Sequence, residues 1–471
     1  GVIYGLAPSP RKKEIIWAGT DDGLVHLTTD GGKTWKEVTP TSLTSWDKIT
    51  QIDAGHFDVN TAYLSVNAIR KDDMKPHVYR THDGGSTWKE VTQGMHEMGP
   101  VNVVREDVIQ AGLLFAGTER EVYFSANDGD HWQSLRSNMP ATSIRDLVIH
   151  ENDLVLGTHG RSIWIMDNIS PLREMVKATP LQTSLFPPVE TPRVRFNMFS
   201  DTPLPPEEPA GQNPPDGAIL DYYLDQSANE VRLEILSQEG DVIRTFSSND
   251  PIEVIDSLSM PYPLYWIRPT KQLSAKPGHH RFVWDLRYAP PRGSQRQLSI
   301  AATYKNTPTG PQGPWVPPGK YNVRLWVDGV SFVQPIRVTL DPRSKISVGD
   351  LKLQSDYSWI CYNSYHELQS IREVIDQRLN NTRYKWSKGK KEQMMLLRGS
   401  GIPDNPDVMY GSISEVPLDK ETLVGLQDKL LHMMAIFQSA DVKPTDAAMQ
   451  ATDKLQLRTR EMIDHWKKIA K

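Results

Sequence analysis

The chain has 471 residues, of which 24% are charged and 38% hydrophobic, and this length suits two to four domains. Its 53 Lys and Arg against 58 Asp and Glu give a formal net charge of −5 without a long basic run, which disfavours a nucleic-acid partner. No apolar stretch reaches the roughly 18 residues of a membrane span, and the single cysteine, Cys361, excludes an intrachain disulfide framework. No signal peptide is visible and Gly1 is not an initiator methionine, so we expect a processed product or a piece of a longer sequence.

A repeated eight-residue motif marks the first part of the chain. It occurs at residues 28–35 (TTDGGKTW), 81–88 (THDGGSTW) and 125–132 (SANDGDHW), with its tryptophans 53 and 44 residues apart. This period is close to the length of one four-stranded propeller blade. The sequence therefore predicts successive blades.

The motif has a mechanical explanation as a hairpin. Asp30 and Asp83 can accept hydrogen bonds from the backbone of their own turn, and the glycines that follow them can take positive φ. We expect the tryptophan to pack beneath the turn between neighbouring sheets. In the third copy Asn127 replaces the aspartate, so this copy is degraded.

Alternating apolar residues around each motif predict four strands per blade, labelled A to D from the centre outward. The A strands are predicted near residues 1–7, 49–54, 101–107 and 143–149, and the motif hairpins join strand C to strand D. The fourth blade has neither the motif nor a recognisable D strand. We therefore expect further blades from another segment or another chain.

These hairpins resemble the Asp-box repeats, also called bacterial neuraminidase repeats, of β-propeller proteins. Relatives with this repeat include sialidases, the sortilin (VPS10-like) luminal domain, photosystem assembly factors and xyloglucan-cleaving glycosidases. Residues 157–168 (GTHGRSIWIMDN) resemble the last blade of large secreted bacterial proteins that are described as glycosyl-hydrolase-like or sortilin-like. The resemblance runs along the whole chain and implies a fold more strongly than a function, because enzymes and receptors share the repeat.

The rest of the chain divides by its pattern. Residues 169–215 read as a Pro-rich linker, with nine prolines between Pro187 and Pro215. Period-two strands over 216–342 predict an immunoglobulin- or fibronectin-like β-sandwich. Helical periodicity over 343–471 predicts an antiparallel helical hairpin or bundle, with residues 385–391 as a solvated turn. The predicted fold is mainly β with an α-helical C-terminal part.

Candidate ligand-binding residues lie on the predicted face that carries the B–C and D–A loops. They are Asp21, Asp22, Glu119, Arg120, His159 and Arg161, together with residues 70–75, and each could equally be a polar turn residue. Asp22 and Glu119 are the candidates for a catalytic pair, which in a glycosidase would be about 5–5.5 Å or 6.5–9.5 Å apart. No metal or cofactor is predicted, since His159 lacks neighbouring ligands. Neither the arginine triad nor the tyrosine nucleophile of a sialidase can be assigned.

Three functions remain open at this point. The first is a secreted, periplasmic or cell-surface protein that binds a polymer, either a polysaccharide or a peptide. The second is a glycoside hydrolase of the Asp-box type, with its carboxylates partly outside this chain. The third is a structural or assembly subunit.

Overall fold

A computed structural model describes residues 1–178, 181–195, 202–208, 210–252, 254–260, 263–294, 302–381, 388–399 and 420–470. The chain forms two compact units, Gly1–Gln182 and Thr183–Lys471. Among the described residues, no helix combines the length and the apolar character needed to cross a bilayer.

The first unit contains four antiparallel sheets in which neighbouring strands follow one another along the chain. The first three have four strands each: β1 (Ile3–Pro8), β2 (Ile16–Thr20), β3 (Val25–Thr28) and β4 (Lys36–Glu37); β5 (Lys48–Ala54), β6 (Ala62–Asn67), β7 (His77–Thr81) and β8 (Lys89–Glu90); β9 (Val101–Glu106), β10 (Leu114–Thr118), β11 (Val122–Ser125) and β12 (Gln133–Ser134). The fourth has three: β13 (Ile144–His150), β14 (Asp153–Thr158) and β15 (Ile163–Met166), followed by helix α1 (Ser170–Lys177). This is the architecture of propeller blades, and the predicted A strands are confirmed.

Adjacent blades are joined by a repeated apolar contact. Val25, Val78 and Val122 on the C strands pack into the same clusters as Ile49, Val101 and Ile144 on the A strand of the following blade. All six side chains are at most 1% exposed. The corresponding residues at the two ends of the series behave differently, with Ile3 63% and Ile163 67% exposed. We call this contact between the C strand of one blade and the A strand of the next a joint. Within the described residues, the first blade exposes the A-strand half of a joint and the last blade exposes the C-strand half.

The motif hairpins are held by side-chain oxygens. Asp30 Oδ1 accepts hydrogen bonds from the Thr28 hydroxyl at 2.8 Å and from the Thr34 backbone at 3.0 Å, and Asp83 makes the equivalent bonds. Hydrogen bonds from the threonines lower the pKa of Asp30 and Asp83 to about 2. Asn127 fills the same position in the third hairpin, accepting from the His131 backbone at 2.9 Å.

The three motif tryptophans differ in their surroundings. Trp88 Nε1 donates to the Val38 carbonyl of the preceding blade at 2.7 Å, and Trp132 Nε1 donates to the Val91 carbonyl at 2.9 Å. Trp35, by contrast, is 43% exposed. The expectation that it packs between sheets is wrong, because no described sheet precedes the first blade and offers the equivalent carbonyl.

The second unit begins with two sheets around one core. Its strands are β16 (Ser184–Leu185), β17 (Thr191–Arg193), β18 (Ala218–Leu224), β19 (Val231–Leu236), β20 (Val242–Ser247), β21 (Gly278–Trp284), β22 (Gly319–Val327) and β23 (Val330–Leu340). One sheet has the order β16-β18-β21 and the other β17-β23-β22-β19-β20. Trp284 and Leu233, from different sheets, are both fully buried in the shared core. The immunoglobulin or fibronectin type of this sandwich stays a prediction.

The structure places α1, β16 and β17 within residues 169–215, the segment predicted as a linker. Strands β16 and β17 are both edge strands, where a Pro-rich sequence is tolerated.

Four helices complete the second unit: α2 (Val348–Asn380), α3 (Lys388–Arg398), α4 (Leu423–Gln438) and α5 (Asp446–Ala470). They share one apolar core that includes Leu426, Leu430 and Met462, and Cys361 is buried in it. Ser347 and Thr422 cap α2 and α4 by accepting backbone N–H groups. The solvated turn predicted at 385–391 is wrong from Lys388 onward, where α3 begins, while 385–387 lie outside the described residues.

Candidate functional site

The innermost strand of each blade, its A strand, contains a β-bulge at an equivalent position. The register shifts next to Ile3, Ile49, Val101 and Ile144, so one extra residue is inserted after each of them. These extra residues are Tyr4, Thr50, Asn102 and Arg145. Because β-bulges redirect side chains, the four blades present four different polar groups at one end of the inner strands.

Two sets of contacts connect these groups. Arg145 donates to Glu119 Oε1 at 2.8 Å, and Asn102 Nδ2 donates to the same oxygen at 3.2 Å. Lys48 Nζ lies 3.3 Å from the centre of the Tyr4 ring. We call the four bulge residues Tyr4, Thr50, Asn102 and Arg145, together with their partners Lys48 and Glu119, the rim.

The rim residues from the first and last blades share an electrostatic environment. Contact with the Lys48 ammonium lowers the pKa of the Tyr4 phenol, and the Arg145 and Arg70 cations act in the same direction. Tyr4 is 56% exposed, so its ring is available to a ligand. The rim therefore combines an accessible aromatic ring, two cations, an amide and an ion-paired carboxylate.

Asp21 and Asp22 lie in the turn between β2 and β3 and fix the backbone around it. Asp21 Oδ1 accepts from the Val2 backbone at 2.7 Å, and this bond lowers the pKa of Asp21. A hydrogen bond from Thr20 is the main cause of the lowered pKa of Asp22, whose carboxylate also lies 3.4 Å from the Gly1 amino group. Both residues are held as carboxylates, which suits binding better than general-acid chemistry.

Trp46 lies next to this turn, and no motif in the sequence predicts it as a site residue. Its backbone N–H donates to the Asp22 carbonyl at 3.1 Å, and its φ of 72° is unfavourable for a bulky residue. The ring is 53% exposed, and the Arg70 guanidinium, 3.5 Å from Asp21, lies 5.7 Å from its centre. Strained backbone at an exposed aromatic residue is typical of binding sites.

The remaining candidates are exposed loop residues. Arg120 and Arg161 are exposed, and their carbonyls accept from the Thr142 backbone at 3.0 Å and from Trp164 Nε1 at 2.9 Å. His159 is exposed as well, and its backbone N–H donates to the Ser143 carbonyl at 2.9 Å.

The proposed catalytic pair is not joined by shared contacts. The carboxylate of Asp22 contacts the first blade, whereas Glu119 is bound by residues of the third and fourth blades. The turn at 21–23 and the motif hairpin at 28–35 lie at opposite ends of β3, since the sheet is a simple antiparallel meander.

A second polar group, which the sequence motifs do not predict, lies at the other end of the inner strands. We call Asp53, Glu106 and Asp128 the acid cluster. The Glu106 backbone donates to Asp53 Oδ2 at 2.8 Å, and the Tyr63 hydroxyl donates to Asp128 Oδ1 at 2.7 Å while lying 3.4 Å from Glu106 Oε1. His82 Nε2 is 2.8 Å from Asp128.

Burial dominates the chemistry of the acid cluster. It raises the pKa of Glu106 to about 7 and also raises those of Asp53 and Tyr63. Glu106 is only 4% exposed and accepts from the His56 backbone at 2.7 Å. The cluster therefore holds a proton near neutral pH between the second and third blades.

In the part of the chain that the structure describes, no group of three or more His, Cys, Asp and Glu side chains is arranged to hold a metal ion.

No family model matches the chain. It is similar to the oligoxyloglucan-reducing end-specific xyloglucanase of Emericella nidulans, with 28% identity over 104 residues, which is 22% of this chain and 13% of that protein. It is also similar to the probable oligoxyloglucan-reducing end-specific xyloglucanase of Neosartorya fischeri, with 29% identity over 130 residues, 27% of this chain and 16% of that protein. The chain thus spans less than a fifth of the length of these relatives.

Solved structures give more distant likenesses. YCF48 from Cyanidioschyzon merolae aligns with a TM-score of 0.27 and 16% identity over 36% of this chain and 54% of that chain. The GH74 xyloglucanase from Xanthomonas campestris aligns with a TM-score of 0.30 and 12% identity over 47% of this chain and 35% of that chain.

Proposed function

We propose that the first unit is a propeller of the Asp-box type that binds a polymer, foremost a glycan, at the rim and Trp46. The observation that carries this proposal is the set of four equivalent bulges, which present different side chains beside one another. A shared structural role would favour the same residue type in each blade. Different residue types at equivalent positions instead suit a ligand that is asymmetric along its length.

The aromatic rings favour a sugar over a peptide. Tyr4 and Trp46 are both more than half exposed, and an exposed ring bordered by cations and amides offers an apolar face and hydrogen bonds at once. The similarity to two proteins named as xyloglucanases supports the same ligand class. A peptide is the other ligand to be tested.

Glycoside hydrolysis is the second candidate function, and the similarity to the xyloglucanases favours it as well. A glycosidase needs one carboxyl group whose pKa is raised so that it can donate a proton. Glu106 has such a pKa, but it lies in the acid cluster at the opposite end of the inner strands from the rim. Hydrolysis at the rim would therefore need a proton donor other than the acid cluster.

The open joints favour an assembly role in addition. Ile3 and Ile163 expose the two halves of a contact that is buried between all neighbouring blades. We propose that blades from another segment or chain cover them and close the ring. A secreted, periplasmic or cell-surface location belongs to the same proposal, as the resemblance to large secreted proteins implies.

The test is binding of the full chain to soluble polysaccharides, including xyloglucan, and to a peptide library, by calorimetry. The decisive variants are Trp46→Ala and Arg145→Met, with Trp35→Ala as the matched control. Trp35 is also an exposed tryptophan, 43% against 53% for Trp46, and lies at the opposite end of the first blade. Loss of one charge-assisted hydrogen bond or one ring contact is worth about 1.4 kcal/mol or more, so affinity should fall roughly tenfold.

Unchanged binding in both decisive variants, or an equal loss in Trp35→Ala, would refute the rim as the site. The release of reducing ends from the same polysaccharides tests hydrolysis. Release that persists in Glu119→Gln would exclude Glu119 as a catalytic carboxylate.

A further inference from the structure

One tryptophan of the second unit is surrounded by three arginines. The guanidinium carbons of Arg287, Arg195 and Arg193 lie 4.6, 4.8 and 5.4 Å from the centre of the Trp315 ring. All three distances are within the range of cation–π attraction. Trp315 itself is only 8% exposed, so the arginines form a cage around a largely buried ring.

Few carboxylates balance these cations. Arg193 and Arg195 share one oxygen, Asp441 Oδ1, at 2.7 and 2.8 Å. The guanidinium of Arg287 instead donates to a neutral acceptor, the Gly313 carbonyl, at 2.9 Å. Among the described residues, a single carboxylate oxygen therefore serves two of the three arginines, and no carboxylate is bonded to the third guanidinium.

The surplus of positive charge extends further along the same surface. Arg268 lies 3.7 Å from Asp285 and 3.9 Å from Asp216, and the exposed Lys271 shares this environment. In the part of the unit that the structure describes, four arginines and Lys271 thus face three aspartates, which leaves two positive charges in excess. Burial, together with the neighbouring Arg268 and Arg195, lowers the pKa of Arg287 to about 9.

Several N–H donors of this cage have no acceptor among the described residues. Trp315 Nε1, Arg193 Nε and Arg195 Nε are buried without a hydrogen-bond partner. Buried donors are almost always paired in native proteins, either with protein atoms or with ordered water. Among the described residues, the cage therefore carries more donors and more positive charge than the protein's own acceptors balance.

We propose that the Trp315–arginine cage binds a doubly charged oxyanion, a sulfate or phosphate group that is free or carried by a larger molecule. The guanidinium of Arg287, which donates one N–H to the Gly313 carbonyl, has further N–H groups for such a ligand. A planar guanidinium can bind two oxygens of such a group at once. The positive charges of Arg268 and Arg195 act on Arg287, and the charge of the ligand balances the excess.

The experiment is calorimetric titration of the full chain with inorganic sulfate, inorganic phosphate and acetate at constant ionic strength. We expect saturable binding of sulfate or phosphate in the millimolar range or tighter, and binding at least tenfold weaker for acetate. In Arg287→Gln the affinity for the divalent anion should fall at least tenfold. Arg337→Gln is the matched control, because Arg337 is an exposed arginine of the same unit whose ion pair with Glu190, at 3.3 Å, lies outside the cage.

Lys271→Gln keeps the proposal testable if Arg287→Gln does not fold, because Lys271 is exposed. It should bind sulfate or phosphate severalfold more weakly while keeping the circular dichroism spectrum of the parent chain. General salt stabilisation would act equally on every variant. Equal affinity of Arg287→Gln and Lys271→Gln with the parent chain, equal affinity for acetate, or no binding to the parent chain would each overturn the proposal.

Discussion

Replacing Glu106 by glutamine should remove a pH dependence from the first unit. Folding raises the pKa of this carboxyl group from 4.5 to about 7. Because one pKa unit corresponds to about 1.4 kcal/mol, ionising Glu106 in the folded protein costs about 3 kcal/mol more than in the unfolded chain. The side chain is 4% exposed, so solvent screens little of this difference.

The direction of this pH dependence follows because the pKa of Glu106 is higher in the folded protein than in the unfolded chain. The contribution of Glu106 is fully present below pH 4.5 and is lost as the pH rises through 7. The free energy of unfolding should therefore fall by about 3 kcal/mol between pH 4.5 and pH 8, and Asp53, whose pKa burial also raises, acts in the same direction. Glutamine imitates the protonated acid, since it can accept from the His56 backbone and donate to the Tyr63 oxygen.

Hydrogen exchange of the β5 and β9 amides, read by mass spectrometry, measures the effect locally. Comparing the parent chain with Glu106→Gln at the same pH cancels the intrinsic pH dependence of exchange. The variant should be more protected at pH 8 and equally protected at pH 4.5. The exposed Glu97→Gln is the control and should change nothing at either pH. A difference of the same size at both pH values would refute the assignment of a neutral Glu106.

Three further predictions concern the packing of the first unit. Asp83→Ala should lower its thermal midpoint at pH 7 while Asp83→Asn largely keeps it, because the third hairpin already uses an asparagine; equal losses would contradict the hairpin mechanism. Ile163→Asp should change stability by less than about 0.5 kcal/mol, whereas Val122→Asp at the equivalent position should cost about 4 kcal/mol in urea denaturation, and similar values would argue against an open joint. Arg173→Met should cost about 3–5 kcal/mol in the same measurement, since it leaves Asp107, which is fully buried, without its ion pair at 2.9 Å; a loss below about 1 kcal/mol would contradict a stabilising role of this ion pair.

The parts of the fold that the sequence predicts correctly depend on local interactions. Asp30 bonds to residues no more than four positions away, so its motif identifies the hairpin without reference to other strands. The helical periodicity of the C-terminal part is local in the same sense, since Leu426 and Leu430 are four residues apart and both lie in the apolar core of the helices. The prediction of a solvated turn is wrong at residues 388–391 because it rests on four lysines among the seven residues 385–391, and lysines are equally compatible with an exposed helix.

The rim was harder to predict because a bulge is a property of two paired strands. The inner strands nonetheless share a pattern in which two apolar residues enclose two variable ones: IYGL, ITQI, VNVV and IRDL. Aligning them would have placed Tyr4, Thr50, Asn102 and Arg145 at one level. The acid cluster gives a weaker signal, since Asp53 and Glu106 lie at or next to the ends of strands that also carry other polar residues.

The open joints and the rim are connected through the same strands. Ile3 and Tyr4 are neighbours on the first inner strand, as Ile144 and Arg145 are on the last, so the residues that form joints directly precede those that form the rim. Between internal blades this arrangement lets the rim residue reach the next blade, as Thr50 and Asn102 do through the carbonyls of Val101 and Ile144. Arg145 has no following blade among the described residues. Blades that complete the ring would therefore also fix the orientation of Arg145, and we expect ligand binding at the rim to be tighter when the joints are covered.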